Sequence, residues 1–66
     1  MRQEPTPQRA RQAKAEAAAR PGIVLEMRED FGPDEKARGT LTINGRAEPV
    51  TIDDWDEWPR YLDSLA

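Results

Sequence analysis

The chain contains no cysteine and no histidine. The first absence removes disulfides and thiolate metal sites; the second removes the commonest general base and the commonest zinc ligand. No cofactor is expected. A small secreted domain would ordinarily be stapled by disulfides, so a cytoplasmic setting is expected. No apolar run approaches the roughly 18 residues that span a bilayer, and the first residues lack the apolar stretch of a secretory signal, so no membrane partner is expected. Large apolar side chains are absent from the segment between Met1 and Ile23, and the aromatics amount to two tryptophans, one tyrosine and one phenylalanine.

What is present divides the chain in two. Residues 1–20 carry Arg2, Arg9, Arg11, Lys14 and Arg20 against Glu4 and Glu16, a net charge of +3. The remainder carries eleven acids against five bases, a net charge of −6. Sixty-six residues make one domain at most, and a core this small confers only marginal stability. The expected organisation is a basic helical or mobile arm over residues 1–22 and a small acidic body over residues 23–66.

Residues 6–20 read as a helix by propensity. Thr6 can cap it, Pro7 fits the first helical position, and Ala, Gln, Arg, Lys and Glu favour its interior. Glu16 and Arg20 form a favourable i,i+4 pair, and Pro21-Gly22 stops the run. The apolar face is only a stripe of methyl groups from Ala10, Ala13 and Ala17. An isolated helix of this length is marginal in water, so the arm is expected to order when something covers that stripe, and the body to fold without residues 1–20.

From Ile23 the period becomes two, with Ile23, Leu25 and Met27 on one face and Val24, Glu26 and Arg28 on the other, which predicts a half-buried strand. Alternation returns in residues 40–43 and 50–52. The Asn44-Gly45 pair is a strong hairpin signal. A two-residue loop, however, places Ile43 opposite Arg46 and Leu41 opposite Glu48. The cleaner apolar face comes from pairing Ile43 with Val50 and Leu41 with Ile52, so a longer loop or a bulge near Ala47 is expected. Trp55, Trp58, Leu62 and Leu65 follow helical spacing, and Pro59 restricts that helix to one containing it in the first turn. Either Asp56 caps the helix or residues 53–57 form a separate turn before it. The fold class is therefore α+β: a small three-stranded antiparallel meander, or a hairpin, packed by a C-terminal helix, with a basic, alanine-rich N-terminal helical arm.

Several clusters could carry function. The acids at 53–57 lack the spacing of an EF-hand loop, and capping with a solvated face accounts for them more simply than a metal. Paired carboxylates near tryptophan suit general acid–base work only in a cleft that excludes water, and a body this small is not expected to enclose one; the chain is not expected to be an enzyme. Five bases without an interleaved aromatic limit nucleic acid to weak contact with the arm. The residues expected to meet a partner are Arg9, Arg11, Ala13, Lys14, Ala17 and Arg20 on the arm, and Asp54, Trp55, Asp56 and Glu57 on the body.

The function expected is that of a non-enzymatic protein-binding module, an accessory protein of phage or mobile-element type that binds and modulates a larger host protein or protein complex. Two alternatives differ in what they bind: a structural subunit of a virion or other assembly tethered by the arm, and an acidic mimic of nucleic acid. In its order of elements alone, helix–hairpin–helix, the chain is similar to the small head-tail joining proteins of lambda-type phages. Both helices of those proteins pack, whereas residues 7–20 lack large apolar side chains, so the order implies no family.

Overall fold

In the structure, a computed structural model, residues 4–65 are described; Arg2, counted among the bases of the arm, lies outside them. Helix α1 spans Pro7–Ala18, followed by strands β1 (Ile23–Met27), β2 (Ala37–Ile43) and β3 (Arg46–Ile52), and then helix α2 (Trp58–Ser64). The strands form one antiparallel sheet in the order β1-β2-β3. The fold is α+β with a meander, as the alternating pattern predicts.

Helix α1 begins as its sequence dictates. The Thr6 hydroxyl accepts from the backbone N–H of Arg9 at 3.1 Å, and Pro7 occupies the opening turn, where its missing donor costs no hydrogen bond. Ala10, Ala13 and Ala17 are all buried. The cover that the stripe requires is supplied by the chain itself: Ala13 and Ala17 share one core with Ile23, Leu25, Ala37, Leu41, Ile52, Trp58 and Leu62. Methyl groups contribute little area each but let the helix backbone come close. That closeness shows at Trp58, whose indole Nε1 donates to the Ala13 carbonyl at 3.1 Å from within the core.

The hairpin corrects the expected register. Ile43 pairs with Arg46, Leu41 with Glu48, Gly39 with Val50 and Ala37 with Ile52, so the loop is the two-residue Asn44-Gly45 turn, with no longer loop and no bulge at Ala47. Both turn residues take positive φ, 50° and 84°, as a type I′ turn demands. The apolar pairing loses because Arg46 and Glu48 are exposed on the helix-bearing face. The hairpin end of β3 is left uncovered while Leu41 opposite it stays buried, so burial exerts no preference on residues 46–48 and turn chemistry sets the register. Farther along, Gly39 is required by close approach: a Cβ at that position would lie 2.5 Å from the Glu26 carbonyl oxygen and 2.8 Å from the Met27 Cβ.

Before α2, residues 54–57 form the separate turn. The Glu57 and Trp58 amides donate to the Asp54 and Trp55 carbonyls, and Asp54 Oδ1 accepts from the Asp56 amide at 3.0 Å. Asp56 therefore does not cap α2. Glu57 stands at the N-cap without a side-chain hydrogen bond to the helix amides, and Pro59 falls in the first turn.

Candidate docking surface

Among the described residues, the arm bases Arg9, Arg11, Lys14 and Arg20 are engaged by the chain's own acceptors. Arg9 donates to the Glu4 carbonyl at 2.7 Å. Arg11 and Lys14 converge on Glu29 at 3.2 and 3.1 Å, tying the outer side of α1 to the residues just after β1. Their hydrogen bonds hold the Glu29 carboxyl below its ordinary range, Lys14 contributing most. Arg20 reaches Asp63 at 2.8 Å and Glu16 at 3.4 Å, linking the two helices. The bond from Arg20 likewise lowers the Asp63 carboxyl. Ala13 and Ala17 lie in the core, so they offer no surface to a partner. The basic arm of the sequence thus forms one side of the folded body.

The four body residues separate onto two flanks. Trp55, half-buried, and Asp56 face α1, where with Arg9, Gln12, Ala13, Glu16, Trp58 and Pro59 they line a notch of about 120 Å³. That volume is well below the roughly 300 Å³ at which small-molecule sites begin. Asp54 and Glu57 face the other way, toward β3.

On that second flank a groove of about 380 Å³ runs between β3 and α2, lined by residues 49–54 with Glu57, Trp58 and Tyr61. Its lining contains three carboxylates, those of Asp53, Asp54 and Glu57, and no base. Bases stand at its margin: Lys36 lies 3.6 Å from Asp53, and Arg60 lies 3.3 Å from Glu57. The Tyr61 ring stacks on buried Trp58 with centroids 5.6 Å apart, yet Tyr61 remains 43% exposed. Burial of Trp58 in the core therefore fixes an aromatic ring at the surface.

The strand beside the groove has an unusual edge. In a two-residue hairpin Ile43 and Arg46 form a hydrogen-bonded pair, so residues 46, 48, 50 and 52 bond to β2 while 47, 49 and 51 turn their backbone groups outward. Pro49 occupies the middle of that outward row and contributes a carbonyl without an N–H. This border therefore lacks its middle donor.

The sequence places Asp54 and Glu57 among the residues expected to meet a partner, and Tyr61 is not among them. The signal was available: Trp58 and Tyr61 are three residues apart, so they share a helix face, and a body this small buries only one of two adjacent large rings. Among the described residues no group of three acids comes together in a way that could hold a metal ion, and no helix is long and apolar enough to cross a membrane. The opposite face of the sheet carries Val24, Glu26, Thr40 and Thr42 toward solvent, with Val24 51% exposed. Compared with protein-family models, with curated proteins and with solved structures, the chain matches none.

Proposed function

We propose that the protein is a non-enzymatic protein-binding module, an accessory subunit that docks on a larger protein or complex through the groove between β3 and α2. The observation that carries this reading is Tyr61. It is a large aromatic side chain stacked against Trp58 and left exposed beside a groove rather than folded away. Tyrosine gives a large contact area at low entropic cost, and such fixed rings dominate the energetics of protein interfaces. The groove is open along its length, which suits a chain segment lying across it.

Hydrogen exchange on the complex isolated from the source cells tests this reading. Residues 49–61 are expected to gain protection, and Tyr61→Ala to lose the partner while melting like the wild type. Protection confined to the arm side, at residues 9–16, would refute groove docking.

A further inference from the structure

The charge and the hydrogen-bonding polarity of the groove specify what it accepts. Asp53, Asp54 and Glu57 line it without a base among them, and the adjoining border of β3 presents carbonyl groups with the middle donor removed at Pro49. The three carboxylates are acceptors only, while Tyr61, Thr51 and the outward amides of residues 47 and 51 keep donors. A partner strand could not pair regularly along this border, because Pro49 interrupts the ladder. Cationic side-chain donors match these carboxylates, which the backbone of a partner strand would leave unneutralised.

We infer that the groove binds an extended basic segment of a partner protein, with arginine or lysine side chains meeting Asp53, Asp54 and Glu57 and one of them lying over the Tyr61 ring. This rests on the docking reading above and adds the chemistry of the occupant. Guanidinium groups match carboxylates through paired donors and stack on aromatic faces, so a single arginine can use both walls of the groove. Lys36 and Arg60 already sit at the margin, at 3.6 Å from Asp53 and 3.3 Å from Glu57. They compete with the incoming segment for the same carboxylates.

The competition gives the test a sign. Three blocked pentapeptides, Gly-Arg-Gly-Arg-Gly and its Glu and Leu counterparts, are titrated into the full-length protein and followed by amide and indole NMR shifts. The arginine peptide is expected to shift residues 50–54 and 57–61. Tyr61→Leu and the pair Asp54→Asn with Glu57→Gln should each weaken it about three- to ten-fold, with the effect of the charges reduced by salt. Asn at 54 keeps the oxygen that accepts from the Asp56 amide, so the turn is preserved. Arg60→Gln should tighten binding about two-fold by releasing Glu57, and Asp34→Asn, remote from the groove, should change nothing. Equal weakening by Asp34→Asn, or shifts spread over every acid, would show diffuse attraction and overturn the inference. Binding of the leucine peptide in the groove would overturn the basic occupant and leave the docking reading standing. If no peptide shifts the groove, the basic occupant is refuted, while the docking reading is decided separately by the exchange footprint.

Discussion

The two helices hold to the same core by opposite means. Helix α1 has twelve residues and buries only alanines, whereas α2 has seven and buries Trp58 and Leu62. The long helix depends on closeness, on the indole bond to the Ala13 carbonyl, and on the charged contacts of Arg11, Lys14 and Arg20 at its sides. The short one depends on side-chain volume. Helix length and contribution to the core are therefore separate quantities, and a segment poor in large apolar residues is not for that reason an appendage.

Removing residues 1–20 is the severest way to break the comparison. From the sequence the remainder should fold alone; the structure argues for the reverse outcome. Without α1 the Trp58 indole loses its acceptor, and Ile23, Leu25 and Leu62 lose part of their cover. The truncated chain is expected to lose its cooperative thermal transition. A cooperative melt close to that of the full chain would show that α1 only decorates a body built by α2 and the sheet.

A subtler variant tests closeness itself. Ala17 is fully buried and Ala15 is exposed on the same helix. Ala17→Leu should destabilise the protein by about 1–3 kcal/mol through overpacking, whereas Ala15→Leu should stay within about 0.5 kcal/mol. Urea denaturation of both proteins measures the difference. Equal stabilities would mean that α1 can move off the sheet to admit a larger side chain.

The pattern-level features of the fold were legible because each depends on a few neighbouring residues. Thr6-Pro7 announced the start of α1, the alternation from Ile23 announced β1, and the spacing of Trp58 and Leu62 announced the buried face of α2, whereas Trp55, read into the same face, lies in the turn before the helix. The register of β2 with β3 was not legible, since it required knowing that the helices leave Arg46 and Glu48 uncovered. The alanine stripe was recognised, but part of its cover, Trp58, lies 45 residues from Ala13. The candidate groove was hidden for the same reason: Pro49, Asp54 and Tyr61 are ordinary in sequence and acquire a common meaning only when α2 lies beside the edge of β3.

The smallest expected effect concerns the charges that fasten α1. Glu29, beside Lys14 and Arg11, and Asp63, beside Arg20, both have folded-state carboxyl pKa values below the ordinary ones. A carboxylate depressed in this way stabilises the fold at pH values above its unfolded pKa, about 4, and that contribution disappears as the pH falls through the folded value. Lowering the pH from neutral to about 3 should therefore lower the melting temperature, and Glu29→Gln with Asp63→Asn should make the decline shallower. Both carboxylates are well exposed, so the effect is modest and high salt should shrink it. If the double variant and the wild type lose stability in parallel, these ion pairs do not hold α1. Its attachment would then rest on the close alanine contacts and the Trp58 hydrogen bond, and the contrast between the two helices would become one of side-chain size alone.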